Sequence, residues 1–123
     1  MTQPDEFFQL HNLAQGIPRE LAPGINTRIF TGEGAMLSVV RMEPGATGSI
    51  HSHDEEQWGV MLEGDGVRIQ DGQEMPVKAG DFWRTPGGVS HGFRAGPAGA
   101  LVLDIFSPPR KAYTEAGSGF GTG

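Results

Sequence analysis

His51 and His53 stand two residues apart in the stretch Ile50-His51-Ser52-His53. Side chains at i and i+2 of an extended segment point to one face, so two imidazoles there can converge on one ion. Gln57 follows after the acidic turn Asp54-Glu55-Glu56, and His91 arrives much later, behind Pro86-Gly87-Gly88. A lone histidine is more often a surface or core residue than a ligand, and His11 is read that way. The chain has no cysteine. That excludes disulfides, a thiolate nucleophile and any Cys-ligated zinc or iron–sulfur centre. A metal here must be held by His, Asp, Glu or neutral oxygen donors.

A second feature is a carboxylate in the apolar run Leu101-Val102-Leu103-Asp104-Ile105-Phe106. Strand alternation sets Val102, Asp104 and Phe106 on one face and Leu101, Leu103 and Ile105 on the other. A carboxylate in such a strand is costly unless it is satisfied or used. It reads as a structural hydrogen-bonding group or an outward-facing residue, or else as an acid or base inside the barrel. Ser107-Pro108-Pro109-Arg110 then turns the chain back, where Arg110 could hold a carboxylate in two-pronged fashion. Two other patterns carry nothing. Gly88-Val89-Ser90-His91-Gly92 has the glycine and serine spacing of a hydrolase nucleophile turn, but Gly92, Gly96 and Pro97 forbid the helix that must follow. Gly32-Glu33-Gly34 lacks the third glycine of a dinucleotide fingerprint.

The elements that position these residues are short and numerous. With 20 Gly and 9 Pro in 123 residues, the chain is full of turn formers, yet 37% of it is hydrophobic, enough for one core. Strands are expected at Asn26–Phe30, Ala35–Glu43, Ile50–His53, Gln57–Leu62, Val67–Gln70, Glu74–Val77, Asp81–Thr85, His91–Arg94 and Ala100–Phe106. Asp71-Gly72 is a strong hairpin signal. Turn signals every 8–12 residues or so and no long helical period predict an all-β sandwich or small barrel. Residues 1–25 read as an N-terminal arm or strand, 26–110 as the barrel, and 111–123 as a flexible tail. A net charge of −6 argues against nucleic-acid and anionic-membrane partners. No apolar run approaches a membrane span, and the N-terminus lacks a signal-peptide pattern, so a cytoplasmic protein is the expectation.

The wider spacing joins these pieces. Gly45, five residues, His51, one residue, His53, three residues, Gln57, six residues and Gly64 form one motif. Gly80, five residues, Pro86, one residue, Gly88, two residues and His91 form another. Together they resemble the two signature motifs of the cupin superfamily, small double-stranded β-barrels of jelly-roll type. The usual Glu of the first motif is Gln57 here, and the usual Asn closing the second falls on Ala95. The resemblance implies that His51, His53, Gln57 and His91 converge in the barrel mouth on one divalent transition metal ion per chain: Zn, Ni, Fe, Co or Mn. Three imidazoles and an amide leave the ion's charge uncompensated, which favours anionic substrates and strong Lewis acidity. The resemblance also implies a homodimer.

Asp104, Phe106 and Arg110 at their spacing, with the Gln ligand, resemble a narrower group, the pectin-degradation cupins that linearise unsaturated uronates. That implies a metal-dependent lyase or isomerase for a small carboxylated substrate. Asp104 would move the proton, Phe106 shape the pocket and Arg110 hold the carboxylate. A metal dioxygenase of a small enol or diol and a non-catalytic ligand-binding cupin are the alternatives. Arg41 and Arg84 read as outer-face residues that could reach inward. Trp58 is expected to pack on the face opposite Gln57, and Met61 to line the cavity floor. Trp83 is left as a pocket wall or a dimer surface, and Tyr113 is unplaced.

Overall fold

A computed structural model describes residues 5–121. The ends of the expected arm and tail, residues 1–4 and 122–123, lie outside the described residues. Nine strands follow in order: β1 Ile17–Ala22, β2 Ile25–Thr31, β3 Met36–Met42, β4 Thr47–His51, β5 Glu56–Gln70, β6 Gln73–Lys78, β7 Phe82–Thr85, β8 His91–Ser107 and β9 Gly117–Ser118. The helical content of the described residues is one 3-10 turn, Lys111–Tyr113. All strand pairs are antiparallel except β1 with β9.

Two long strands organise the barrel. The N-terminal half of β5 pairs with the C-terminal half of β8, from Gln57 opposite Phe106 to Met61 opposite Val102. The other halves pair again, from Gly66 opposite Ala95 to Gln70 opposite His91. The first pairing continues through β3, β2 and β1 on one side and β7 on the other. The second is flanked by β4 and β6. One ribbon thus crosses both layers of a jelly roll. The sequence reading split each long strand in two; the chain instead runs through. The register shifts between Met61 and Glu63 and again between Gly64 and Gly66, so the ribbon bends without breaking. Gly64 must be glycine, because it has a positive φ and a Cβ there would meet the Gly99 carbonyl. The Asp71-Gly72 hairpin is present, both residues at positive φ as its turn requires.

The core lies between the layers. Ile25 and Ile29 of β2, Met36 and Val40 of β3, and Val102 and Phe106 of β8 are buried in it. Met61 is buried there too, in the core and not among the cavity-lining residues. The expected alternation of β8 holds: Val102, Asp104 and Phe106 face the interior cavity. After β8 a cis Ser107–Pro108 peptide leads to the 3-10 turn, which lays Tyr113 on the core. The described part of the tail folds back on the barrel: β9 pairs with β1, and Arg19 donates hydrogen bonds to the carbonyls of Ala112, Ser118 and Gly119.

Candidate metal centre and its cavity

His51 closes β4 and His91 opens β8, opposite each other in the ladder. His53 lies in the loop just beyond β4, so the pair is not carried by one strand as expected, yet its rings still meet. Among the described residues these three form a group whose ligand atoms lie within 4.8 Å of one another. Each ring is oriented the same way. The Nδ1–H of His51 donates to the Ser49 carbonyl at 2.9 Å, that of His53 to Glu55 at 3.1 Å, and that of His91 to Val89 at 2.9 Å. A carbonyl only accepts, so these bonds leave each Nε2 as a bare lone pair.

Two observations test whether a metal suits these residues. His91 Nε2 is buried with no hydrogen-bond partner. His53 Nε2 faces Gln57 Oε1 at 2.9 Å, two lone-pair atoms opposed. Ligands at right angles on an ion about 2.1 Å from each lie about 3 Å apart, so one cation would satisfy both. The donor set fits a divalent transition metal. Burial lowers the pKa of all three rings, helped at His53 by the charge of Arg110. His91 is pushed down to about 3 by burial and then by Arg68. The imidazoles are therefore already neutral, the form that binds metal.

The cavity beside the histidines is about 40 Å³, room for a few water molecules. Gln57, Arg68, Trp83, His91, Asp104 and Phe106 are among the residues that line it. Asp104 keeps some contact with the cavity but is surrounded by protein atoms, and burial raises its carboxyl to about 6 against the pull of Arg68 and a Gln57 hydrogen bond. Phe120 stacks on His51, ring centroids 4.4 Å apart, and lines the cavity. It also fills the space above Gly48.

Arg110 is brought near the site but not onto the cavity wall. It is buried, its guanidinium 4.3 Å above the Tyr113 ring and its Nε 3.7 Å from Glu55 Oε1. Arg41 and Arg84 are exposed, and Arg84 pairs with Glu56. Trp58 is on the outer face as expected but is 40% exposed there rather than buried by packing, and His11 is exposed. The cavity cation is Arg68, which the sequence reading did not single out. Glu55, Tyr113 and Phe120 were missed as well. They act around the ligands: Glu55 Oε1 is 3.4 Å from His53 Nδ1, and Tyr113 packs edge-on against Phe106. No helix among the described residues is long and apolar enough to cross a membrane.

Comparison with known proteins gives a consistent answer. The chain is 30% identical over 96 residues to the pectin degradation protein KdgF of Dickeya dadantii, covering 76% of this chain and 87% of that protein. It is 35% identical over 72 residues to the oxalate decarboxylase OxdC of Bacillus subtilis, but spans only 19% of that longer protein. It is 29% identical over 73 residues to an oxalate-binding protein of Thermotoga maritima, spanning 60% of it. Among solved structures, KdgF from Halomonas sp. matches with TM-score 0.76 at 28% identity, over 88% of this chain and 97% of that one. An RmlC-like cupin from Shewanella frigidimarina matches with TM-score 0.76 at 27% identity, over 90% and 97%. The cupin domain itself is matched over residues 38–106, more than half of the sequence, and on that extent of agreement the chain belongs to the cupin family.

Proposed function

We propose that this cupin is a metal-dependent enzyme acting on a small carboxylated substrate, and that it ring-opens an unsaturated uronate. The observation that carries this reading is a carboxyl held at about 6 on the wall of the three-histidine cavity, in contact with the candidate ligand Gln57. A group poised near neutrality suits proton transfer. His51, His53, His91 and Gln57 would hold one divalent ion, and the ion would supply Lewis acidity toward a ring or enol oxygen. The likeness to two KdgF proteins supports the uronate, and the Mn(II) centres named for oxalate decarboxylase support manganese among the candidate metals.

The chain's own residues have separable tasks. Asp104, ionised at neutral pH, takes the proton of the anomeric hydroxyl, and the anomeric carbonyl forms as the bond from that carbon to the ring oxygen breaks. The enolate so released becomes a ketone when Asp104 returns the proton to the far carbon of the double bond, so the composition of the sugar is unchanged. Phe106 bounds the pocket beneath it. Arg110 serves by its charge on Asp104 and His53. The active assembly is a homodimer with a small anionic substrate as its partner. A second reading, a non-catalytic ligand-binding cupin, draws on the oxalate-binding relative and on the small cavity. The test is the loss of ultraviolet absorbance of an unsaturated uronate with metal-reconstituted protein. Turnover that disappears in Asp104→Asn supports the enzyme. No turnover with any metal, alongside tight binding of the same acid, favours the binding module. Oxygen consumption during turnover would point to a dioxygenase instead.

A further inference from the structure

Two buried N–H donors on the cavity wall have no acceptor: Arg68 Nε and Trp83 Nε1. They belong to one unit. The Arg68 guanidinium lies 5.6 Å from the Trp83 ring, and Trp83 stacks on Phe93 at 6.1 Å. Arg68 is only 6% exposed. Its Nη2 donates to Thr85 Oγ1 at 2.8 Å, and Thr85 in turn donates to Gln70 Oε1 at 2.6 Å. That chain fixes one side of the guanidinium and leaves Nε unused. Gly59 makes the arrangement possible, since a Cβ there would collide with the Trp83 indole. A buried polar group left unsatisfied is costly, and such groups in native proteins point to a missing partner.

The missing partner is an acceptor, and beside a guanidinium it is an anion. Asp104 is a charge neighbour of Arg68, but its hydrogen bond comes from Gln57. We propose that Arg68 and Trp83 form the receptor for the substrate's carboxylate, with Arg68 giving charge and Trp83 a second donor. This deepens the proposed function and rests on its reading of a carboxylated substrate. It moves the carboxylate from Arg110, whose guanidinium is covered by Tyr113, to a cation that lines the cavity. A substrate held there has its acid group at the Arg68 wall and its remaining oxygens toward the histidines and Asp104.

Nitrogen–proton NMR of the zinc-loaded protein gives separate signals for Arg68 Nε–H and Trp83 Nε1–H. Acetate is expected to shift both along one saturation curve. D-galacturonate should do so at lower concentration than its uncharged methyl ester. Arg68→Gln should weaken binding of both acids at least about tenfold with metal content unchanged. Arg68→Lys should retain part of the affinity, and Trp83→Phe should lose less than Arg68→Gln. Acetate that leaves both signals in place overturns the receptor, as does wild-type affinity in Arg68→Gln. The two proposals also separate. Acetate bound at both signals without uronate turnover sinks the uronate reading and keeps the receptor. Turnover with an unchanged KM in Arg68→Gln sinks the receptor and keeps the uronate reading.

Discussion

The two sides of the cavity are built differently. The histidine side comes from strand ends and a loop, and each ring is set by a carbonyl two residues away. The other lining side chains come from within two long strands: Gln57 and Arg68 of β5, Asp104 and Phe106 of β8. Orientation on the first side is local. On the second it depends on which way the pleat faces, and so on register across the whole ribbon. The difference teaches where a binding group is robust to sequence change and where one inserted residue would turn it outward.

The same contrast explains what was readable. The metal group showed in the sequence because its spacing is local within each motif. Asp104 showed because a carboxylate interrupts an apolar alternation. Arg68 did not. Counting from inward-facing Gln57, Gly59 and Met61, strict alternation turns Arg68 outward. The register shifts around Glu63 to Gly66 reverse the parity and bring it in. A bulge leaves a weak trace here, the Glu63-Gly64-Asp65-Gly66 run, which reads equally as a turn between strands. Arg110 failed in another way. Its position along the chain was visible, but Tyr113 closing over it was not.

The largest test of the histidine side is metal content. His91→Ala or His53→Ala should reduce bound metal from about one equivalent to under about a tenth, by elemental analysis after dialysis. Gln57→Ala should lose less, since an amide is the weaker donor. Full retention in His91→Ala would mean that the ion is held elsewhere. Next is the strand side. Asp104→Asn should lower kcat on the uronate by about a hundredfold or more with metal retained. In the wild type, activity should rise with pH through a limb near or below 6, because the free carboxyl sits at about 6 and a bound cation lowers it further.

Stability against pH sharpens the contrast. The depressed histidines bind protons better unfolded than folded, between about pH 3 for His91 and the ordinary value of 6.5. Their contribution is full above that value and is lost as pH falls through it. Asp104, raised to about 6, works in the opposite sense: its cost is full above 6 and is relieved on acidification. Three groups outweigh one, so the metal-free protein should unfold at lower urea at about pH 4.5 than at about pH 7. A midpoint that rises on acidification would contradict the burial of the rings.

Two smaller effects probe the connections between the sides. Gly59→Ala should displace Trp83 and cost about 1–3 kcal/mol in urea unfolding, with acetate affinity falling and metal content kept. Phe120→Ala should widen the cavity and lower KM a few-fold, with a change in stability under about 1.5 kcal/mol. An unchanged KM would mean that Phe120 does not restrict entry.

Tyr113 packs the start of the tail on the core, but the segment around Phe120 is held largely through main-chain groups. Arg19 reads three carbonyls, β9 pairs through main chain, and Gly119 N–H donates to the Glu20 carbonyl. Backbone groups are the same whatever residue bears them. These hydrogen bonds do not use the Phe120 ring, so the residue stacked on His51 can be exchanged without releasing the segment, whereas Gly119 and Gly121, at positive φ, resist substitution. Selection can retune what enters the cavity by changing one ring, while the barrel, the histidines and the clasp that holds the segment stay as they are.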